Sequence, residues 1–72
     1  MNMLKTELPE MLHAQHIRDY LGISQALTYS LMNSEGFPTV RINTRMLVPK
    51  ESFMKWLEQS EGKTIRLIAK EA

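Results

Sequence analysis

Hydrophobic residues recur at helical spacing in three stretches of the chain, which predicts three short helices. The first is predicted over residues 13–21. Its apolar face consists of Ala14, Ile17, Tyr20 and Leu21. Its start is weakly signalled, because His13 and His16 stand where Ser or Thr and then Glu would form a capping box. Gly22 permits the left-handed backbone that ends a helix and turns the chain.

The second helix is predicted over residues 24–35, with Ser24 as a favourable N-cap and with Gly36 and Pro38 preventing its continuation. Its inward stripe consists of Leu27, Leu31 and Met32, with Thr28 between them. The Thr28 methyl group can pack inward while its hydroxyl bonds back to the helix. The opposite face consists of Gln25, Ala26, Tyr29, Ser30 and Asn33. The third helix, over 49–60, has Pro49 in its first turn and buries Phe53, Trp56 and Leu57.

Between the second and third helices the pattern changes to a period of two, which predicts a β-hairpin over residues 39–48. A three-residue tip of Asn43, Thr44 and Arg45 would pair Ile42 with Met46 and Val40 with Val48. That register predicts that these four apolar side chains share one face. It leaves Leu47 facing outward.

The order helix, tight turn, helix, hairpin, helix over residues 12–60 predicts a mainly α fold with a small β-hairpin, a winged helix-turn-helix. Seventy-two residues provide one domain. Residues 1–11 are polar and contain Pro9, so we expect a flexible arm there. Residues 61–72 form a tail that is a candidate partner-binding segment. Within it, residues 63–72 fit either a strand over 64–68 or a helix with Ile65, Ile68 and Ala69 on one side.

The charge distribution is more informative than the net charge of +1, which comes from nine basic and eight acidic residues. Residues 36–50 contain Arg41, Arg45 and Lys50 and no acid. Such a stripe suits phosphate contacts, and a solvated hairpin tip that happens to be basic explains it equally well. The chain has no cysteine and no long apolar run near its start, so we expect a cytoplasmic protein without disulfides or a membrane span.

The spacing of several short motifs over residues 12–57 is fairly specific when they are taken together. They are Leu21-Gly22-Ile23-Ser24, Tyr29, Leu31-Met32, Gly36-Phe37-Pro38, Val40-Arg41-Ile42, Arg45, Val48-Pro49, Phe53 and Trp56-Leu57. In this the chain resembles the excisionase-type DNA-binding domains of phages and mobile elements, relatives of the MerR-type winged helix. The resemblance implies that the second helix enters the major groove and that the wing lies along the backbone or the minor groove. It further implies DNA bending, help to an integrase during excision, or regulation of prophage genes.

The start of the second helix has the side chains that a recognition helix needs, since they are small or polar. Gln25 can pair with adenine, and Ala26 can touch a thymine methyl group. The Tyr29 hydroxyl can donate to a phosphate, although partial burial against the first helix is the alternative. The candidate DNA-binding residues are Ser24, Gln25, Ala26, Tyr29, Ser30, Asn33, Arg41, Asn43, Thr44, Arg45 and Lys50.

Other chemistries have little support in the sequence. There is no nucleophile–base pair, carboxylate pair or Gly-rich phosphate loop, so we expect neither an enzyme nor a cofactor. His13 and His16 are spaced i, i+3, but no Cys or carboxylate cluster accompanies them, and no metal site is expected.

Double-stranded DNA is the expected partner, with an integrase or recombinase and further copies of the chain on DNA as additional candidates. The alternative function is a protein-interaction module, an integrase- or terminase-associated subunit with weak or no DNA binding. The near-neutral charge favours that alternative.

Overall fold

The computed structural model describes residues 5–67 and has the predicted winged helix-turn-helix architecture. After a 3₁₀ turn at Lys5–Glu7, the elements are β1 (Met11–Leu12), α1 (Ala14–Leu21), α2 (Gln25–Met32), β2 (Val40–Ile42), β3 (Arg45–Pro49) and α3 (Lys50–Gln59). The strands form one antiparallel sheet in the order β1-β3-β2. The wing, defined here as residues 40–49, is therefore part of a three-stranded sheet. The sequence analysis did not predict strand β1.

Polar side chains define the ends of the first two helices. His16 Nδ1 accepts a hydrogen bond from the backbone N–H of His13 at 2.9 Å, so His16 takes the part that Glu plays in a capping box. Gly22, with φ +69°, ends α1, and Ser24 Oγ accepts from the backbone N–H of Leu27 at 3.1 Å. The cap predicted at Ser24 is confirmed.

Helix α2 ends at Met32, earlier than the predicted end at residue 35. Two polar side chains that follow it bond carbonyl groups of its last turn. Asn33 Nδ2 donates to the Tyr29 carbonyl at 2.8 Å, and Ser34 Oγ donates to the Leu31 carbonyl at 2.6 Å. The backbone N–H groups of Asn33 and Ser34 donate to the same two carbonyls, each at 3.0 Å, so the side chains add second bonds at the end of the helix.

The hairpin register differs from the predicted one by one residue. Val40 pairs with Leu47, Arg41 with Met46, and Ile42 with Arg45, so the tip contains two residues, Asn43 and Thr44. Asn43 adopts φ +55°, the left-handed conformation that a tight hairpin turn requires and that Asn tolerates. A slip of one residue reverses the faces of a strand. The prediction that Val40 and Ile42 share the inner face with Met46 and Val48 was therefore wrong.

We expect the turn at Asn43 to tolerate glycine and to resist β-branched residues. Asn43→Gly should leave the free energy of unfolding nearly unchanged, whereas Asn43→Val should lower it by about 1–2 kcal/mol, the cost of the left-handed backbone for such a residue. Urea unfolding followed by circular dichroism measures both, with Thr44→Val as the neighbouring control. Equal stability of Asn43→Gly and Asn43→Val would contradict the assigned turn.

The core lies between the three helices and the inner face of the sheet. Its buried apolar residues are Leu8, Leu12, Ile17, Leu31, Met32, Phe37, Val48 and Phe53. Thr28 is also fully buried, and its hydroxyl donates to the Ser24 carbonyl at 2.8 Å, which is the arrangement predicted for it. The core positions predicted for Phe53 and Ile17 are confirmed.

Residues on both flanks of the predicted domain pack on this core. Leu8 is buried, and the Glu10 carbonyl accepts from the Lys50 backbone N–H at 2.8 Å, so residues 8–11 differ from the expected flexible arm. At the other end, residues 63–67 adopt neither of the two conformations considered for them, and Leu67 packs partly buried against the core. The predicted roles of residues 1–4 and 68–72 lie outside the described residues. No helix within residues 5–67 is long and apolar enough to span a membrane.

Candidate nucleic-acid interface

A groove of about 480 Å³ opens between α1, the exposed side of α2 and the tip of the wing. It is lined by His13, Ala14, Gln15, Arg18, Gln25, Thr28, Tyr29, Met32, Thr44, Arg45 and Met46. Thr28 and Met32 are fully buried and lie at its base. Most of the other lining side chains are polar or basic, and Ala14 and Met46 are apolar. Packed residues at the base of a site hold its functional side chains in place.

The groove brings together four of the candidate residues from elements that are separate in sequence. Gln25 and Tyr29 lie one turn apart on α2, and Thr44 and Arg45 lie at the wing tip. Tyr29 is 41 % exposed, so its ring is available to a ligand. An amide, a phenol, a hydroxyl and a guanidinium on one surface supply hydrogen bonds for both base edges and phosphates.

The other candidate residues lie outside this groove, and several of them have structural contacts. Ser24 caps α2, and the guanidinium of Arg41 donates to Asn33 Oδ1, which links the wing to the end of α2. Lys50 Nζ donates to the Leu8 carbonyl at 3.3 Å. The remaining candidates outside the groove lining are Ala26, Ser30 and Asn43.

Helix α1 contributes residues that the sequence analysis did not select, namely His13, Gln15 and Arg18. The helical period of α1 showed only that these residues avoid its apolar face. Which part of the polar face meets α2 and the wing depends on how the helices pack, and a periodicity argument does not provide that. The signal that was available is the i, i+3 spacing of Gln15 and Arg18, which places them on one side of the helix.

Two arginines, Arg18 and Arg45, line the groove, and no carboxylate lines it within the described part of the chain. Arg18 Nε donates to Asp19 Oδ1 at 3.1 Å, and the two side chains are 39 % and 44 % exposed. Ion pairs this exposed contribute about 0–1 kcal/mol. Arg18 can therefore exchange the Asp19 carboxylate for a phosphate group at little cost.

The arrangement is that of a DNA-binding winged helix-turn-helix. In such proteins the second helix enters the major groove, while the first helix crosses the phosphate backbone. Here α1, α2 and the wing border one groove, and α1 and the wing each contribute one arginine to it. Both walls can therefore contact phosphates while α2 faces base edges.

Comparison with known families agrees with this class. The sequence model of a helix-turn-helix domain family matches residues 11–61, and the chain belongs to that family. The matched region runs from β1 to just beyond α3 and so includes the complete groove. No curated protein and no solved structure matches the chain significantly.

Proposed function

We propose that this chain is a sequence-specific DNA-binding protein of a phage or mobile element. It acts as an excisionase, a recombination directionality factor, or as a small transcriptional regulator. The observation that carries the proposal is the groove that joins Gln25, Arg18 and Arg45 from three different elements. Helix α2 enters the major groove, and the wing lies on the backbone or in the adjacent minor groove.

The roles of the side chains follow from their chemistry. Gln25 presents a donor and an acceptor that match adenine N7 and N6. Arg18, Arg45 and the Tyr29 hydroxyl bind phosphate oxygens and set the register of the helix on the duplex. One residue with good base-reading chemistry gives modest specificity per copy. The remaining specificity would come from several copies bound at neighbouring sites and from the DNA bending that accompanies their assembly.

Selection of bound duplexes from a random library tests this function directly. We expect a short consensus to emerge for the wild-type chain. Gln25→Ala should relax the consensus at one or two positions, whereas Arg45→Ala should keep the consensus and weaken binding to all duplexes alike. If no consensus emerges and all duplexes bind equally weakly, the chain is not a sequence-specific DNA-binding protein.

The excisionase role leads to two further expected results. The selected consensus should occur at the ends of the element that encodes the chain, and excision by the element's integrase should require the chain. A consensus found only at a promoter, with excision unaffected, would assign the regulatory role instead.

The interaction-module alternative has one observation in its favour, an apolar groove of about 410 Å³ where the C-terminal segment meets the helices. Leu21, Ile23, Trp56, Leu57 and Leu67 are among its lining residues, and Ile65 on it is 44 % exposed. Binding of the integrase of the same element, abolished by Ile65→Lys with DNA binding intact, would support this second role. Integrase binding that Ile65→Lys does not change would count against it.

A further inference from the structure

The outer face of the sheet is apolar and, among residues 5–67, largely exposed. Pairing of Met11 with Pro49 and of Val40 with Leu47 places these four side chains on one face, and Ile42 lies beside them. Met11 is 39 %, Val40 41 % and Ile42 53 % exposed. We call these five residues the outer sheet face.

The hairpin register places these apolar side chains on the outer side of the sheet. The opposite face carries Leu12 and Val48, which pair with each other and are fully buried. Arg41 pairs with Met46 on that inner side, where it bonds Asn33. Arg41 is itself exposed, so the wing presents all three residues of β2 to solvent, with Val40 and Ile42 on the face that carries no such bond. Apolar residues grouped on a surface in this way are typical of an interaction site.

We propose that the outer sheet face contacts the same face of a second copy of this chain when both copies are bound to adjacent stretches of DNA. The inference rests on the proposed DNA binding and names the surface that couples the copies. The contact is isologous, with the two wings side by side and both tips directed at the duplex.

Continuity with the DNA-binding groove favours a second copy as the occupant. Arg45 pairs with Ile42 at one end of the outer sheet face and also lines the groove. Whatever covers this face therefore lies beside the same duplex. Apart from Arg45 the face carries no charge, so it offers nothing to select a charged partner and is complementary to itself.

The size of the face explains why the contact would depend on DNA. Five residues are far fewer than the roughly 20–30 per side of a stable protein interface, so the face alone does not hold two free copies together. Two Arg45 side chains brought close together also repel each other. DNA offsets both the small contact area and the charge repulsion. It holds the copies at high local concentration, and its phosphates neutralise the arginines.

Cooperativity on DNA provides the first test. Fluorescence anisotropy would compare a duplex of about 12 base pairs, roughly one helical turn, that carries one copy of the selected consensus with a duplex of about 40 base pairs that carries two adjacent inverted copies. The variant Met11→Thr changes a residue of the outer sheet face that lies on β1, outside the wing and the groove, and its β-branched side chain favours the strand. We expect its affinity for the short duplex to be unchanged and its affinity for the long duplex to fall about fivefold, with cooperativity lost.

Cross-linking provides the second test and reports on geometry. The chain contains no cysteine, so a single introduced thiol is unique. Ile42→Cys treated with a short bismaleimide should give a covalent dimer on the long duplex and none without DNA. Glu58→Cys, at an exposed position on α3, is the matched control and should give little dimer under either condition.

The outcomes separate this inference from the function on which it rests. No binding to the short duplex by the wild-type chain would overturn the proposed DNA binding and the inference with it. Binding to the short duplex without cooperativity on the long one would overturn the inference alone. Unchanged cooperativity in Met11→Thr, or equal cross-linking of the two cysteine variants, would also overturn it.

Discussion

Replacement of both Arg18 and Arg45 by alanine is expected to lower the affinity for duplex DNA about 100-fold at moderate salt. In the proposed complex each guanidinium makes a charge-assisted contact of about 1.5 kcal/mol, and each such contact changes affinity about tenfold. Because each phosphate contact adds about 0.9 to the dependence of log K on log salt, the slope should become shallower by about 2. Anisotropy titrations with a short duplex at several salt concentrations measure both quantities.

Two further variants distinguish the groove from general surface charge. Arg41→Ala removes the same charge outside the groove and should weaken binding much less than Arg45→Ala. Asp19→Asn releases Arg18 from its ion pair and should strengthen binding about two- to fivefold, which corresponds to the free energy of a surface pair. Equal losses for Arg41→Ala and Arg45→Ala would mean that the groove is not the phosphate-binding surface.

Replacement of Phe53 by alanine is expected to unfold most of the protein at 25 °C. Phe53 is fully buried at the centre of an aromatic cluster, with ring centroids 5.8 Å from Tyr20, 6.2 Å from Phe37 and 6.5 Å from Trp56. Truncation of a buried Phe costs about 3–5 kcal/mol, and a domain this small has a total stability of about the same size. Far-UV circular dichroism and the fluorescence of Trp56 follow the loss of structure.

The neighbouring residue Lys55 supplies the control, since it lies on the same helix and is exposed. Lys55→Ala should change the free energy of unfolding by less than about 0.5 kcal/mol. A cooperative unfolding transition in Phe53→Ala close to that of the wild type would show that α3 is not needed to complete the core.

The helices were predictable because local residues specify them. Gly22 and Ser24 separate α1 from α2 by chemistry that acts within one turn of helix, and the structure places both as expected. The end of α2 was predicted too late because Asn33 and Ser34 bond its last carbonyls. Both residues are short and polar, and their competition with the helix backbone was a signal that the sequence contained.

The register of the hairpin could not be predicted from the pattern of apolar residues. Alternation placed the strands of the wing correctly but left the register open, because a two-residue tip and a three-residue tip both pair apolar residues. The three-residue tip was predicted because it would place all four apolar residues on one face. The two-residue turn, with Asn43 in the left-handed conformation, specifies the other register. Strand β1 was missed because two residues carry no periodicity.

The candidate site was likewise predictable only in part. The sequence by itself determined the three helices, the wing, most of the core and the residue types on the exposed side of α2, since local propensity and periodicity specify each of these. Only the tertiary structure decided that Arg18 of α1 joins Gln25 and Arg45, that Lys50 bonds the Leu8 carbonyl, and that Val40 and Ile42 face outward. These facts depend on contacts between residues distant in sequence, which arise when the helices and the sheet pack around Phe53.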